Sequence, residues 1–310
     1  MTIVCDKYIP FLVETIRNEW PDVNIHPMKS EEINASVLHD ADVLVVRTRT
    51  KVNAALLEGT NIKLVCTATI GSDHIDTTYC DTHGIRWMAC PGCNAQAVCD
   101  YIEEVLCELS VPNNATIGIV GVGHVGSLVA KMAERRGFNV LLNDPPKHIG
   151  VSLDQIAQNS DIITFHTPLD NSTHHLCNAA FLKKTKPDAL IINAARGGVV
   201  DEMALIKSGR SFVLDTWEGE PYINTLALQY AKLATMHVAG YSVEGKKNAT
   251  QMCLDVIADY GKLPPVKSIS CSASAISKGD TSFGWITRVS QKLKAQSNQF
   301  EQLRQSYPLR

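Results

Sequence analysis

The sequence predicts an α/β protein with two doubly wound parallel-sheet domains and a short helical C-terminal tail. Short runs rich in β-branched residues alternate with helix-like stretches along most of the 310 residues. This alternation is typical of parallel sheets covered by helices on both faces. It is interrupted at about residues 90–115, and a chain of this length suggests about two domains.

Each series of elements can be followed along the chain. In the first series, strands are predicted at 2–5, 43–46, 63–68 and 86–89, and helices at 11–20, 54–58 and 76–82. In the second series, strands are predicted at 116–120, 139–143, 161–165, 189–193, 212–215 and 234–238. Two long helices, at 95–109 and 243–260, accompany the second series, and Asn94 can cap the first of them.

The two long helices set the predicted domain boundaries. If the second helix crosses back, the first domain comprises 1–92 and 245–266, and the second comprises 93–244. In the remaining segment, 267–310, residues recur at spacings of three and four as an apolar stripe with one polar interruption: Ile286, Val289, Leu293, Gln296, Phe300, Leu303 and Tyr307. This stripe indicates either a helix docked on its own subunit or a dimer contact.

Composition argues against nucleic acid and membrane as partners. The 29 basic and 32 acidic residues give a net charge of −3, so no basic excess exists to neutralise a phosphate backbone. No run approaches the roughly 18 apolar residues of a membrane span. The N-terminus lacks the pattern of a signal peptide. The ten cysteines are therefore expected to be reduced thiols in a cytoplasmic protein.

The spacing of Cys90 and Cys93 is that of a redox or zinc pair. A structural zinc site needs two more ligands at suitable spacing, and Cys99 and Cys107 fall at helical positions instead. We therefore predict no metal site. His174 and His175 lie in a polar stretch and are expected to be solvated.

A glycine-rich motif follows the strand at 116–120 and opens a helix at 127–136. This context is the one that a dinucleotide site requires. Gly121 is expected to allow the tight turn, Gly123 to let the backbone approach a pyrophosphate, and Gly126 to let helix and strand pack closely. Asp144 lies eighteen residues after Gly126, at the end of the next strand. A carboxylate there accepts hydrogen bonds from ribose hydroxyls and repels a 2′-phosphate, so NAD is the predicted cofactor.

Further cofactor contacts are expected where later strands end, because ligands bind beyond the carboxyl ends of such sheets. The complete predicted set is Gly121, Gly123, His124, Val125, Gly126, Asp144, Thr167, Ala194, Ala195, Asp215 and Gly240.

Three polar residues, Arg196, Glu220 and His237, lie at or just past the ends of consecutive predicted strands. With these residues in this order, the sequence resembles the D-2-hydroxyacid dehydrogenase family. The resemblance covers about residues 1–262 and includes the segments 71–76, 121–126, 166–169 and 196–201. It implies a flavodoxin-like substrate domain, a Rossmann NAD domain and a homodimer in which 267–310 is a shortened C-terminal segment.

The chemistry of the three residues agrees with that resemblance. Oxidation of an alcohol by hydride transfer leaves a proton on oxygen, and the imidazole of His237 can take it as a general base. Glu220 would fix the tautomer and favour the imidazolium. Arg196 would present its planar fork of donors to the substrate carboxylate and the reacting oxygen.

Closer matching, at 89–95, 144–146, 217–221 and 237–246, narrows the expected substrate to a phosphorylated 2-hydroxyacid. The resemblance implies that Thr48, Thr69 and Tyr241 contact the substrate. Arg47, with Arg49 and Lys51, is a candidate for the phosphate, because a phosphodianion needs several donors and cations.

Two other functions stay open. One is another D-2-hydroxyacid dehydrogenase, for instance one that acts on 3-phosphoglycerate. The other is a non-catalytic, NAD-dependent sensor or corepressor on the same fold, against which the intact set of Arg196, Glu220 and His237 argues.

Overall fold

The structure is a computed structural model that describes residues 1–267, 269 and 279–310. Contacts within the chain define two compact units. Unit 1 comprises Met1–Asn94 and Ser242–Ile276, and unit 2 comprises Ala95–Tyr241 and Ser277–Arg310.

Unit 1 is built on a five-stranded parallel sheet with the order β2-β1-β3-β4-β5, which is the flavodoxin-like order. Its strands are β1 (Thr2–Asp6), β2 (Asn24–Met28), β3 (Val43–Val46), β4 (Leu64–Thr67) and β5 (Arg86–Met88). Its helices are α1 (Leu12–Glu19), α2 (Ala35–Leu38), α3 (Ala54–Leu57), α4 (Thr77–Thr82) and α11 (Val243–Gly261). The long helix α11 is capped by Ser242, whose hydroxyl accepts the Gly245 N–H at 3.0 Å.

The central strands of unit 1 are apolar without alternation because helices cover both faces of the sheet. Every residue of β3 and of β4 is buried. One core packs α1 and α11 against one face, and a second core packs α2, α3 and α4 against the other. Polar side chains are therefore left to the ends of the strands.

Unit 2 has a seven-stranded sheet with the order β12-β11-β10-β9-β6-β7-β8, in which only β8 is antiparallel among the described strands. When β6 is counted as the first strand, the neighbouring strands β8-β7-β6-β9-β10-β11 have the order 3-2-1-4-5-6 of a Rossmann sheet. The strands are β6 (Thr116–Val120), β7 (Asn139–Asp144), β8 (Ile149–Gly150), β9 (Ile162–Phe165), β10 (Leu190–Asn193), β11 (Ser211–Leu214) and β12 (Leu233–Ala234). The helices are α5 (Ala95–Glu108), α6 (His124–Arg136), α7 (Leu153–Asn159), α8 (Ala179–Lys184), α9 (Glu202–Ser208), α10 (Thr225–Tyr230), α12 (Trp285–Ala295) and α13 (Phe300–Gln305).

The predicted fold class is confirmed, although several elements differ in detail, among them the unpredicted antiparallel strand β8. β2 was not predicted, because its residues are partly exposed and it includes Pro27 at the edge of the sheet. The strand predicted at 234–238 ends at Ala234. His237 has a φ of 59°, which is incompatible with a strand.

The tail packs on unit 2, and its apolar stripe is buried there. Leu293, Phe300 and Leu303 are at most 5% exposed and join the same core as Trp217 and Met236. The stripe is divided between α12 and α13 rather than lying on one helix. The tail thus forms part of the unit that carries the glycine motif.

Membrane insertion has no candidate segment among the described residues, since none of their helices is both long and apolar enough to cross a bilayer.

Candidate active site

The three glycines of the motif are required for different reasons. Gly121 has a φ of +90°, and a Cβ there would lie 2.8 Å from the His166 carbonyl. A Cβ on Gly126 would lie 1.9 Å from the Gly121 carbonyl oxygen, so only glycine lets α6 approach this turn. A Cβ on Gly123 would have nothing within 4 Å, so the backbone there is open to a ligand.

Asp144 ends β7 beside this turn. Its Oδ2 accepts the Val122 N–H at 2.8 Å, so the carboxylate is fixed against the glycine-rich turn. Lys147 also reaches the turn, since its Nζ donates to the Val122 carbonyl at 2.8 Å and lies 3.9 Å from Asp144 Oδ2. The sequence analysis did not find Lys147, because a single lysine after two prolines carries no motif.

The other predicted cofactor contacts follow the carboxyl ends of neighbouring parallel strands in the same sheet. Thr167 follows β9, and Ala194 and Ala195 follow β10. Within the described part of the chain, the Thr167 hydroxyl is buried without a hydrogen-bond partner, as expected for a group that awaits a ligand. The open backbone at Gly123, the fixed Asp144 carboxylate and this hydroxyl fit a dinucleotide. His124 and Val125 form the first turn of α6, whose N–H groups face an anion favourably.

Asp215, which follows β11, is a buried carboxylate that organises the next loop. It accepts hydrogen bonds from the Thr235 hydroxyl at 2.6 Å, the Val238 N–H at 2.8 Å and the Ala239 N–H at 3.1 Å. Its own carbonyl accepts the His237 N–H at 2.7 Å. Asp215 therefore fixes the backbone from β12 to Gly240.

That backbone brings His237 to Glu220. The His237 Nδ1 lies 2.9 Å from Glu220 Oε2, while Glu220 Oε1 accepts the Trp217 N–H at 2.9 Å. His237 has a φ of 59°, a conformation that non-glycine residues rarely adopt away from functional sites. Burial raises the pKa of Glu220, but the hydrogen bond and charge of His237, the Trp217 N–H and the Arg304 guanidinium together lower it below its ordinary value. Glu220 is thus an ionised carboxylate that orients the ring.

Arg196 follows β10 and is partly buried. Its Nη1 donates to the Ala195 carbonyl at 2.8 Å, and its own carbonyl accepts the Asn193 side-chain N–H at 2.8 Å. These bonds hold the start of the loop that carries the guanidinium. Arg196, Glu220 and His237 therefore all lie in unit 2, past the carboxyl ends of adjacent strands.

The buried side chain of Glu202 contacts the backbone of the loop that carries Glu220. It is 2% exposed, its Oε1 accepts the Glu218 N–H at 2.8 Å, and its Oε2 is buried without a hydrogen-bond partner among the described residues. Burial is the largest cause that raises the pKa of Glu202, to about 7; the Glu218 N–H opposes the rise, and the charges of Glu218, Glu220 and Asp201 add to it. Sequence analysis missed this residue because an acid at the start of a helix is ordinary.

His175 was expected to be solvated, but its side chain is paired with an acidic residue. Its Nε2 pairs with Glu218 Oε1, and its backbone N–H donates to the Gly198 carbonyl at 2.7 Å. His175 therefore ties the loop after Arg196 to the loop before Glu220.

The predicted substrate residues are distributed over both units. Thr48 follows β3 and is exposed, whereas the Thr69 hydroxyl is engaged with Thr67 at 2.6 Å and with the Gly71 carbonyl at 3.0 Å. Arg47 pairs through two nitrogens with the buried Asp6, at 2.9 and 3.2 Å. Tyr241 lies in unit 2, directly before α11.

Cys90 and Cys93 are both buried, free thiols. Cys90 donates to the carbonyls of Thr67 and Ala249 and lies 3.8 Å from the Cys253 sulfur. Burial raises the pKa of Cys93 to about 12, which makes it a poor nucleophile. Cys271 lies outside the described residues.

The fold and the glycine motif define a protein with a Rossmann-type dinucleotide-binding unit, and comparisons with known proteins agree. Residues 103–250 match the NAD-binding domain of D-isomer specific 2-hydroxyacid dehydrogenases. The chain is 39% identical to erythronate-4-phosphate dehydrogenase of Bacteroides fragilis, and the alignment covers 100% of this chain and 97% of the relative. It is 40% identical to the Pseudomonas fluorescens enzyme of the same name, covering 86% and 74%.

Solved structures share the fold. 3-Phosphoglycerate dehydrogenase of Entamoeba histolytica aligns with a TM-score of 0.72 at 23% identity, covering 88% of this chain and 99% of that one. D-Lactate dehydrogenase of Aquifex aeolicus aligns with a TM-score of 0.68 at 23% identity, covering 84% and 95%. The chain belongs to the D-isomer specific 2-hydroxyacid dehydrogenase family, among relatives named erythronate-4-phosphate dehydrogenase. The predicted family, its dehydrogenase class and NAD as its cofactor are thereby confirmed.

The different surroundings of Gly126 and Gly123 give opposite expectations for the same substitution. Gly126→Ala places a methyl group against the Gly121 carbonyl and should destabilise unit 2 by about 1–3 kcal/mol or more. Gly123→Ala should leave stability nearly unchanged but weaken NAD binding at least about tenfold, because the added methyl occupies the open face. Urea unfolding and calorimetric titration with NAD measure the two effects. Unchanged NAD affinity in Gly123→Ala would contradict the assigned cofactor turn.

Glu202 should make stability depend on pH in a defined direction. Because its folded-state pKa of about 7 lies above the ordinary value of 4.5, the folded state retains a proton that the unfolded state releases between these values. Its contribution to stability therefore falls as pH rises through this window. Glu202→Gln stays neutral, so its stability relative to the parent should rise by up to about 3 kcal/mol from pH 4.5 to pH 8.

Urea unfolding of both proteins at several pH values checks this expectation. Glu134→Gln, at an exposed position on α6, is the matched control, and its difference from the parent should be constant. A difference for Glu202→Gln that does not change with pH would show that Glu202 is already ionised in the folded protein.

Proposed function

We propose that this enzyme oxidises 4-phospho-D-erythronate to 2-oxo-3-hydroxy-4-phosphobutanoate with NAD, in the biosynthesis of pyridoxal phosphate. The observation that carries the proposal is the Glu220–His237 pair at the strand ends of the NAD-binding unit. It is found in a chain 39% identical to an erythronate-4-phosphate dehydrogenase over its full length.

The NAD-binding residues fall into three groups. The turn from Gly121 to Gly126 and the first turn of α6 would hold the pyrophosphate, and Asp144 the ribose hydroxyls. Thr167, Ala194, Ala195, Asp215 and Gly240 would line the nicotinamide end. When bound, NAD⁺ supplies the acceptor for the hydride that leaves C2 of the hydroxyacid.

His237 takes the proton of the C2 hydroxyl. Its Nδ1 is used by Glu220, so Nε2 is the atom that faces the hydroxyl and accepts the proton. The Glu220 carboxylate stabilises the imidazolium that forms. In the reverse direction the same imidazolium returns the proton to the oxo group.

Arg196 binds the substrate carboxylate and the C2 oxygen through its planar guanidinium. Such a fork fixes the plane of the reacting carbon relative to His237. Its positive charge also stabilises the partial negative charge that develops on the C2 oxygen as the proton leaves, so it acts on both binding and rate.

Thr48, Thr69 and Tyr241 would contact the substrate, and Arg47 is the candidate for binding its phosphate. Asp6 neutralises much of the charge of Arg47, so Arg47 would contribute directed hydrogen bonds rather than a net positive charge. Thr48 exposes its hydroxyl at the end of β3, which supports a contact with a polar ligand.

The enzyme is proposed to work in the cytoplasm as a homodimer. All nine described cysteines are free, which supports a reducing compartment. The tail's apolar stripe is buried within unit 2, so the dimer would use another surface.

Turnover with defined substrates tests the proposal. The protein is incubated with 4-phospho-D-erythronate or 3-phosphoglycerate, with NAD, with and without 2-oxoglutarate as a further acceptor, and the oxo product is identified. We expect oxidation of the four-carbon phosphate, with His237→Ala slower by about 10²–10⁴-fold and still able to bind NAD. His39→Ala, at an exposed position in unit 1, is the matched control.

The other outcomes distinguish the alternatives. Oxidation of 3-phosphoglycerate alone would keep the mechanism and overturn the substrate. NAD binding without turnover of either compound would favour a sensor or corepressor.

A further inference from the structure

The C-terminal tail is built into unit 2 beside the edge strand β12. Glu108 of α5 accepts the N–H groups of Ile286 and Thr287, both at 2.9 Å, and so holds the start of α12. The Ser290 hydroxyl accepts the Ala234 N–H at 3.0 Å, which satisfies a backbone donor of the edge strand. These contacts fix the path of the tail independently of any ligand.

The end of the tail contacts the two loops that carry Glu220 and His237. Arg304 Nη1 lies 3.7 Å from Glu220 Oε2, the same oxygen that bonds to His237, and Arg304 Nε donates to the Tyr241 hydroxyl at 3.4 Å. The Tyr307 ring packs edge-on against Tyr241 with centroids 6.2 Å apart.

The last residue, Arg310, continues this contact. Its guanidinium donates to the carbonyls of Ala239 and Tyr241, and it stacks 4.3 Å over the Trp285 ring. The tail therefore holds the carbonyls of the backbone that follows His237, while Asp215 accepts the N–H groups of Val238 and Ala239 in the same segment and the Thr235 hydroxyl before it.

We infer that Arg304 is a positioning residue of the active site: it fixes Glu220 and Tyr241 relative to each other and limits how strongly Glu220 favours the imidazolium form of His237. This inference rests on the proposed role of His237. Arg304 touches no reacting atom in it and acts only through Glu220 and Tyr241.

The charges around the pair support this role. His237 faces the Glu220 carboxylate, and Glu220 in turn faces Arg304 and, below its loop, the buried acid Glu202. Arg304 also faces Glu301 at 3.6 Å and the Tyr241 hydroxyl. Arg196 is the cation on the neighbouring strand end. Because Arg304 is three-quarters buried, its charge is only weakly screened and partly offsets Glu220.

Removal of this cation should make the imidazolium easier to form. In Arg304→Gln, we expect the acid limb of the pH profile of kcat/KM to move up by about 0.5–1 pH unit. We also expect kcat/KM at its optimum to fall about 10–100-fold, because Glu220 and Tyr241 lose their shared anchor. Arg304→Lys should restore the pH profile while recovering only part of the rate, because it keeps the charge and loses the planar fork.

Histidine-selective NMR gives a readout that does not depend on turnover. The ring signal of His237, assigned with His237→Gln, is titrated in the parent, Arg304→Gln and Arg304→Lys proteins. We expect its midpoint to move up in Arg304→Gln and to return in Arg304→Lys. Arg288→Gln, which removes an exposed tail arginine paired with Asp280, is the matched control and should leave the midpoint and the rate unchanged.

The outcomes separate this inference from the proposed substrate. An unchanged His237 midpoint and an unchanged pH profile in Arg304→Gln would overturn the inference even if 4-phospho-D-erythronate is oxidised. A shifted midpoint supports it even if the substrate is another hydroxyacid. If Arg304→Gln does not fold, Arg304→Lys decides, since a midpoint displaced from the parent value there would contradict a role for the charge.

Discussion

The geometry of the Glu220–His237 pair depends on the buried carboxylate of Asp215. It is 1% exposed and receives three hydrogen bonds from the residues that flank His237. Hydrogen bonds to a charged acceptor each contribute about 1.5–3 kcal/mol, whereas an unpaired buried carboxylate costs several. The chain after β12 must therefore wrap around Asp215, and the left-handed conformation of His237 follows from that path.

The remaining contacts of the site can be understood from this wrapped loop. It turns the His237 ring toward the loop after β11, where Glu220 is held by the Trp217 N–H. Tyr101 extends the network into the core, because its hydroxyl lies 2.9 Å from that of Thr235. The tail contacts these loops through Arg304, which lies near Glu220, and through Arg310, which donates to the Ala239 carbonyl. Contacts between segments distant in sequence thus hold the two loops that carry Glu220 and His237.

Local patterns indicate the glycine motif and Asp144, which lie at or directly after the ends of β6 and β7. Arg196, Glu220 and His237 are indicated by their order along the chain, since each follows the end of a strand within six residues. Contacts between segments that are distant in the chain produce no recognisable sequence pattern. Asp6 against Arg47 and Arg304 against Glu220 join residues 41 and 84 positions apart, and a single sequence does not show such pairings.

Other differences have a similar origin. The stripe in the tail has the same spacing whether it faces its own core or a second subunit, so its burial in unit 2 needed the structure. In the sequence, Glu202 is an ordinary acidic residue in the first turn of a helix. Its burial against the Glu218 backbone is visible only in the structure. The strand predicted at 234–238 is short because Asp215 draws the following residues out of the sheet after Ala234.

We propose that His237, held by Asp215 and Glu220, faces the hydroxyl that is oxidised. A crystal structure of the His237→Gln protein, whose side-chain amide reaches the position of Nε2, with NAD⁺ and 4-phospho-D-erythronate tests this placement. We expect the C2 hydroxyl within about 2.6–3.2 Å of the side chain at position 237, with the carboxylate on Arg196. A hydroxyacid bound with C2 turned away from that side chain would show that another group removes the proton.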